Sequence, residues 1–528
     1  MKKILKIFSA ALLLLVLAFT SYSNNIRVKK LSLADTVRAT KDIRIKFDLS
    51  WENSWRDDVN WDAAWVTVKV KRANGSWKHV KLQTTGNSID GNSQNAKIVV
   101  PDDKMGAFIY RSGNGSGNID LSGIKLAWNY GIDSVANIDS AEIRLFATEM
   151  VYVPQGSFAF GDGYTPSSIY MTYAADRIVP SIFKNFISAD TVKFGRNTPM
   201  FSIISDKTTP KLTIAATNVG PMNTGDQVII DGIYINGLKG VGITNTDPYK
   251  YSAFPVGYKA VYVMKYEVTQ GQYTDFLNTT KIQFTPGVSL LPSPMSPSQP
   301  LARFSIEKQG ENYIVSRPDR AMDYVNGTQL FAFANWSSLR PMTELEFEKA
   351  ARGPLAPAYN DRANGPNPYG IAGDPSNNVV ISVLKLNGPE NGSEAPLVSD
   401  SAKYLSSIMN IEGGDGGMGA YRVGVFATDK SSRKSAGASY YGIMGLTDNA
   451  GEFVVSLSSE TSRSFKDVNG LGENNPNGSP ALSHWLNTTW IDNWSLMIFK
   501  NSWNGVSGRT GGATTGGFRL VRSAPSDL

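Results

Sequence analysis

The chain has 528 residues, of which 41% are hydrophobic and 19% charged, and its formal net charge is +6. This balance is typical of a globular protein, and the length predicts two or three domains. The sequence contains no cysteine, which excludes disulfides, a lipidated cysteine, thiol catalysis, thiolate metal sites and iron–sulfur clusters, and its scattered basic residues form no nucleic-acid-binding patch.

The first 23 residues have the pattern of a secretory signal peptide. Three lysines precede a nearly unbroken apolar run, Ile7–Phe19, and small polar residues follow up to Ser23. The run is shorter than the roughly 20 residues that a transmembrane helix needs. We therefore expect cleavage after Ser23 and an extracellular, cell-surface or periplasmic protein, with an N-terminal membrane anchor as the alternative. No later stretch of the sequence approaches a membrane span.

Residues 28–148 are predicted to form an all-β sandwich domain. Alternating apolar and polar residues mark three strands: Ile43–Leu49, Trp65–Val70 and Ala141–Leu145. The third strand is expected to end at Phe146, and turn residues such as Asn74-Gly75 separate the runs.

Five tryptophans crowd the first half of this domain: Trp51, Trp55, Trp61, Trp65 and Trp77. Core packing is the simpler explanation, since burying one tryptophan contributes about 2–3 kcal/mol. An aromatic platform for a sugar is the alternative.

Residues 150–528 are predicted to form a second domain, with an insertion at 164–255 that contains a few strand-like runs. Helical periodicity follows Val268-Thr269 and continues to Leu277. A second helix is expected to start at Thr343, where Thr343 and Glu346 form a capping box.

Six segments of this second domain, in the correct order, resemble the formylglycine-generating enzyme family, also called sulfatase-modifying factors. The clearest is RPMTELEFEKAARG; the six are Met150–Phe158, Tyr266–Tyr273, Arg340–Gly353, Asn410–Gly424, Tyr441–Glu452 and Gly517–Arg522. The resemblance implies an α+β, C-type-lectin-like formylglycine-generating-enzyme fold with little regular structure, preceded here by the all-β sandwich.

The sequence departs from this family at the catalytic site. In the family's aerobic oxidoreductases, two cysteines bind copper and activate oxygen, and their positions fall here near Gly505 and Thr510. Neither residue can ligate Cu(I), which prefers thiolates. The two histidines, His79 and His484, are too few for a three-histidine metal site. We therefore expect a pseudoenzyme with no copper and no catalytic residues.

The charged residues of the family-like segments have a structural explanation. Glu346 is accounted for by the capping box, which is a simpler role than paired-carboxylate catalysis. Arg340, Arg352, Arg519 and Arg522 are expected to hold loops in place through charge-assisted hydrogen bonds.

The family also holds two structural calcium ions, and the resemblance implies oxygen ligands for both. For the first ion these are the side chains of Asn410 and Asp415 and the carbonyls of Ile411 and Gly417. For the second ion they are the Asp448 side chain and the carbonyls of Gly451 and Phe453. Val455 stands where the family has a liganding glutamate, and Glu452 replaces an asparagine. Oxygen ligands suit Ca²⁺, although both segments also have the composition of ordinary turns.

A late segment rich in aromatic and amide side chains is a candidate ligand-binding surface. Its members are Trp485, Trp490, Asn493, Trp494, Asn501, Trp503 and Asn504. Rigid aromatic rings combined with adaptable amides are typical of surfaces that recognise proteins or glycans. The alternative is an aromatic core with polar turns.

These features together predict an exported, non-catalytic binding or scaffold protein whose partner is an unknown protein or glycan, with self-association left open. One alternative is an enzyme of the sulfatase-modifying-factor family with non-copper chemistry, which predicts a polar or acidic cluster beneath residues 499–512. The other is a structural subunit of a cell-surface or secretion assembly.

Overall fold

The computed structural model describes residues 26–525 apart from 92–93, 157, 161–200, 206–209, 215–226, 231–232, 237–253, 256, 281–302, 356–360, 364, 367–384, 387–411, 414–419, 426, 428–432, 434–435, 447–448, 456–463, 476–479, 486–493 and 498–515. The described regular structure is mostly β, with three α-helices.

The first part of the fold is a two-sheet sandwich built from nine strands: β1 (Arg27–Val37), β2 (Asp42–Arg56), β3 (Asp62–Lys71), β4 (Trp77–His79), β5 (Ser88–Ile89), β6 (Ala96–Val99), β7 (Ala107–Arg111), β8 (Gly115–Asn129) and β9 (Ile143–Val153). One sheet has the order β1-β2-β8-β5, and in the other β9, β3, β7 and β6 lie side by side, with β4 paired to β3. Apolar residues of both sheets, among them Phe47, Trp51, Val66 and Trp128, form one core. Both predicted strands are confirmed, and burial alternates along most of β2, whereas in β3 every residue except Lys71 is buried.

Strand β3 is buried on both of its faces. Ala64 and Val66 belong to the sandwich core, whereas Ala63 and Trp65 belong to a second core on the opposite side of the sheet. The Trp65 indole Nε1 donates a hydrogen bond to the carbonyl of Ser337 at 3.1 Å. The first part of the chain is therefore packed directly against the second.

Strand β9 runs through the predicted domain boundary without a break. It pairs with β3 from Ile143 to Val151, so the predicted strand end at Phe146 is wrong. Residues 146–151 contain no glycine, proline or asparagine, and nothing in them would stop an extended strand. The boundary drawn near residue 149 therefore falls inside one strand.

The second part of the fold contributes sixteen described strands, most of them short: β10 (Phe158–Phe160), β11 (Phe201–Ser205), β12 (Pro210–Ile214), β13 (Gln227–Ile230), β14 (Ile233–Asn236), β15 (Val261–Met264), β16 (Ile306–Gln309), β17 (Asn312–Val315), β18 (Arg340–Pro341), β19 (Asp361–Arg362), β20 (Gly365–Pro366), β21 (Lys385–Leu386), β22 (Glu412–Gly413), β23 (Glu452–Val455), β24 (Trp494–Met497) and β25 (Leu520–Ser523). β15, β25 and β18 extend the second sandwich sheet beyond β9, giving the order β18-β25-β15-β9-β3-β7-β6. A separate five-stranded sheet has the order β10-β11-β12-β14-β13.

Three α-helices pack against this shared sheet: α1 (Gln270–Thr280), α2 (Gly327–Trp336) and α3 (Glu344–Arg352). α1 and α3 were predicted. Both hydrogen bonds of the predicted capping box between Thr343 and Glu346 are present. α2 was missed because all of its residues from Gln329 to Trp336 are buried, which leaves no polar face to create a periodic pattern. One short 3₁₀ helix spans Leu482–His484. Within the described residues, no helix combines the length and apolar character needed to cross a bilayer.

A buried lysine on β3 helps to join the two parts of the fold. The Lys69 ammonium donates to the carbonyl of Trp336 at 2.7 Å and to the carbonyl of Gly472, and it lies 3.0 Å from His79 Nδ1. His79 Nε2 lies 2.6 Å from the carbonyl of Met105. This arrangement assigns the imidazole proton to Nε2, so that Nδ1 accepts from Lys69. Burial lowers the pKa of Lys69 to about 7.

The first prediction concerns His79 and the dependence of stability on pH. Burial, followed by the adjacent Lys69 charge, lowers the pKa of His79 well below its usual 6.5, so the folded protein keeps this ring neutral. The unfolded chain takes up a proton below about pH 6.5, and the stabilisation is therefore lost as the pH falls further. His79→Gln, whose amide keeps one donor and one acceptor, should flatten the fall between pH 6.5 and 5 by up to about 1.4 kcal/mol per pH unit.

Urea denaturation at several pH values measures this effect. His484→Gln is the matched control, because His484 is less deeply buried and should change the profile less. An unchanged pH profile in His79→Gln would contradict the assignment.

Candidate functional site

Three family-like segments, together with the strand that leads into a fourth, meet side by side in the shared sheet. β9 carries the start of the first segment and pairs with β15, which directly precedes Tyr266–Tyr273. β25, from the last segment, lies between β15 and β18, and β18 opens the segment Arg340–Gly353. The sheet thus assembles residues that are far apart in sequence.

Arg340 holds the start of helix α3 to the sheet. Its guanidinium is 1% exposed and donates to both carboxylate oxygens of Glu346, at 2.8 and 2.6 Å. It also lies 3.0 Å from Asp467 Oδ1. Arg352 pairs with Glu348 at 2.8 Å. Arg340 thus holds the loop that carries Asp467, as expected, whereas the ion pair of Arg352 lies within helix α3.

A second buried ion pair joins Glu452 and Arg519. The Arg519 Nε lies 2.7 and 2.8 Å from the two oxygens of Glu452, and both side chains are almost completely inaccessible to solvent. Glu267 lies farther away, 3.9 Å from Arg519 Nη2. Burial raises the pKa of Glu452 and the arginine opposes that rise. Glu452, which stands at the family's asparagine position, is therefore engaged within the protein.

Lys265 lies at the junction between the sandwich and the second part of the fold. Its ammonium is 2.9 Å from Glu149 Oε2 and 3.6 Å from Asp62 Oδ2. Asp62 also accepts hydrogen bonds from Trp51 Nε1 and Ser54 Oγ. Burial alone would lower the pKa of Lys265, but the two carboxylates raise it overall. The lysine is thus a permanently charged group whose charge is balanced locally.

Lys265 also lines an open cleft of about 460 Å³, which we call the interdomain cleft. One wall is the end of β2 and the loop that follows it; the other comes from the second part of the fold. Six residues that characterise it are Asn53, Trp55, Asp57, Asn60, Tyr440 and Tyr441. Its combination of aromatic rings, amides and a carboxylate makes it the best candidate ligand site among the described residues.

Sequence reasoning did not find this cleft. Trp55 belongs to the tryptophan cluster for which core packing was the simpler explanation and a sugar platform the alternative, and it is only partly buried. Asn53, Asp57 and Asn60 were not singled out. Their spacing around a tryptophan was the one local signal that could have suggested a site. The opposite wall lies almost 400 residues away along the chain, so no local pattern connects the two.

Most residues of the implied calcium sites lie outside the described residues: Asn410, Ile411, Asp415, Gly417 and Asp448. Gly451 and Phe453 are described. The Gly451 carbonyl accepts a hydrogen bond from the Gly517 N–H at 2.7 Å, and Phe453 is 3% exposed. The described residues contain no group of three or more histidine, aspartate or glutamate side chains suited to a metal ion. Calcium binding stays a prediction.

The late aromatic segment is described only in part. Trp485 is completely buried, packs against Phe331 with a centroid distance of 5.1 Å and donates from Nε1 to the carbonyl of Val468. This corrects its assignment to a ligand surface, because a ring inside the core cannot contact a partner. Trp494 opens strand β24, of which the backbone is described. The remaining candidates lie outside the described residues: Trp490, Asn493, Asn501, Trp503 and Asn504. So do Gly505 and Thr510.

Residues 227–388 match the family model of the sulfatase-modifying factor enzyme 1-like domain, which confirms the resemblance over this range. The match contains two of the six segments, Tyr266–Tyr273 and Arg340–Gly353, and it begins inside the range 164–255 that was assigned to an insertion. A comparison with curated proteins found no match.

The second prediction concerns the buried pair of Glu452 and Arg519. Glu452→Gln should lower the free energy of unfolding by about 3–5 kcal/mol, because it leaves the buried arginine without its close counter-charge. Combining Glu452→Leu with Arg519→Met should recover much of the loss, since it removes both charges. Chemical denaturation measures these changes. Asp139→Asn, which breaks the exposed pair with Arg38, is the control and should have little effect. A small loss in Glu452→Gln would contradict the structural role.

Proposed function

Because residues 227–388 form a sulfatase-modifying factor enzyme 1-like domain, we propose that the chain is an exported, non-catalytic binding or scaffold protein built on that domain. The observation that carries this proposal is the complete absence of cysteine. Copper-dependent oxidation in this family needs two thiolates, and cysteine is the only side chain that supplies a thiolate.

The charged residues of the signature segments support the same proposal. Arg340, Glu346, Glu452 and Arg519 form buried ion pairs with one another instead of facing the interdomain cleft. Their contribution is to the fold rather than to a reaction. A retained framework without its redox ligands fits a protein that binds or organises a partner.

The lectin-like character of the second domain is part of this proposal. It is supported by the combination of many short strands, three helices and long connections among the described residues of this part. Structural calcium would suit such a loop-rich protein, because an ion bound only by the folded state stabilises that state. Export, for which the signal-like residues 1–23 argue, would place the protein in a calcium-containing environment.

An enzyme with non-copper chemistry is the second candidate, and one observation favours it. Asp323 lies two residues before Val325, whose backbone pairs with Gly516, four residues after the range 499–512 in sequence. Burial raises the pKa of Asp323, and the Tyr324 N–H partly opposes the rise by donating to the carboxylate at 2.7 Å. A carboxylate shifted in this way is a feature of many catalytic sites. One shifted carboxylate supports an enzyme less strongly than the absence of cysteine supports a non-catalytic protein.

The third prediction is that the purified protein will not oxidise a peptide thiol. A sulfatase-type cysteine peptide incubated with the protein, Cu(I) and oxygen should yield no aldehyde by mass spectrometry, because no thiolate can hold the copper. Metal analysis of the purified protein should likewise find no stoichiometric copper. An active member of the family run in parallel is the positive control. Aldehyde formation would end the non-catalytic proposal.

The fourth prediction is that calcium stabilises the protein. Thermal unfolding should occur at a lower temperature in EDTA than in excess CaCl₂, since binding to the folded state alone adds RT ln(1 + [L]/Kd) to its stability. Asp415→Asn should reduce this difference, and Asp448→Asn should reduce it independently. Magnesium serves as the control, because its small octahedral shell fits such sites poorly. Equal unfolding temperatures in EDTA and calcium would refute the calcium sites.

A further inference from the structure

We infer that the interdomain cleft binds a small neutral saccharide. The inference deepens the proposed function, on which it rests, by naming the ligand class of a binding protein. Its volume of about 460 Å³ falls within the range of about 300–1,000 Å³ typical of small-molecule sites.

The floor of the cleft is held rigid before any ligand arrives. The Lys265 ammonium lies 5.2 Å from the Trp55 ring centroid and 5.6 Å from that of Tyr266. Its ion pairs with Glu149 and Asp62 fix it in place. A preformed floor lowers the entropic cost of binding, as expected of a built site.

The two walls are joined by specific contacts. Asn60 donates from Nδ2 to the carbonyl of Tyr441 at 2.7 Å, which links the sandwich to the second part of the fold. Gly442 packs so closely on the Trp55 ring that a Cβ atom there would lie 2.8 Å from it. The Asp57 Oδ1 orders its own loop by accepting from the N–H groups of Val59 and Asn60. The spacing between the walls is therefore set by the protein.

Polar atoms around the cleft have unused hydrogen-bonding capacity. Within the described part of the chain, the second carboxylate oxygen of Asp57, the side-chain amide of Asn53 and the hydroxyl of Tyr441 have no protein partner. These groups offer donors and acceptors on both sides of the cleft. An apolar ligand would displace the water that these groups bind and would offer no hydrogen bonds in its place, which costs free energy.

The charges of the cleft argue against an anionic ligand. Lys265 is already balanced by two carboxylates, and Asp57 would repel an anion. Arg433, at the rim, donates to the carbonyl of Ser439 and lies 5.6 Å from the Tyr440 ring centroid. A neutral polyhydroxylated ring fits better: its C–H groups can contact the parts of Trp55 and Tyr440 that line the cleft, while its hydroxyl groups bond to the carboxylate and amides.

Saccharide binding to the full-length protein tests this inference. The probes are the methyl glycosides of glucose, galactose, mannose and N-acetylglucosamine, together with cellobiose and lactose, measured by saturation-transfer NMR and calorimetry. We expect at least one probe to bind, and its affinity to fall roughly 10- to 100-fold in Trp55→Ala and in Asp57→Asn. The amide introduced by Asp57→Asn would still accept the hydrogen bonds from the N–H groups of Val59 and Asn60. A loss of binding in this variant is therefore not explained by a disordered loop. Trp77→Ala, which removes a partly buried tryptophan of the same sandwich, is the matched control and should bind normally.

The opposite results would overturn the inference. These are no binding of any probe to the wild type, or binding that survives both Trp55→Ala and Asp57→Asn. Loss of binding in a Trp490→Ala, Trp494→Ala double variant alone would assign saccharide recognition to the late segment instead. None of these outcomes affects the non-catalytic proposal, which catalysis by the purified protein would overturn.

Discussion

The burial of strand β3 on both faces constrains the rest of the structure. A polar group in such a strand is cut off from water and must find a partner within the protein. Asp62 and Lys69, near the two ends of the strand, both reach the second part of the fold, although Asp62 accepts its hydrogen bonds from Trp51 and Ser54 of the sandwich. Asp62 lies near Lys265, and Lys69 donates to the carbonyls of Trp336 and Gly472. The buried polar side chains of this one strand therefore help to fix the position of the second part of the fold against the sandwich.

The second part of the fold, which contains the matched residues 227–388, uses its buried charges for cohesion. Two of its buried arginines are satisfied by carboxylates a few ångströms away, in the pairs of Arg340 with Glu346 and of Arg519 with Glu452. The interdomain cleft arises where this framework meets the sandwich, and each side supplies one wall. The candidate binding site therefore depends on the joining of two modules.

Local signals in the sequence predicted the local structure well. The alternation in β2 and β3 and the capping box at Thr343 each depend on residues only two or three positions apart. The continuation of β9 past Phe146 was not predictable in this way. No turn residue marks the place where this strand passes from the first part of the fold to the second. Helix α2 gave no amphipathic pattern because it is buried all round. The cleft joins Asn60 to Tyr441, 381 residues apart, and such pairings depend on the tertiary fold.

The position of β25 in the shared sheet has a consequence for biosynthesis. This strand lies between β15 and β18, although it is made more than 170 residues after either of them. Until the ribosome has released Leu520–Ser523, the two earlier strands have no neighbour in common and the sheet stays open. Closure across so long a stretch of chain is slow. The shared sheet is therefore completed only after nearly all of the second part of the fold has been synthesised.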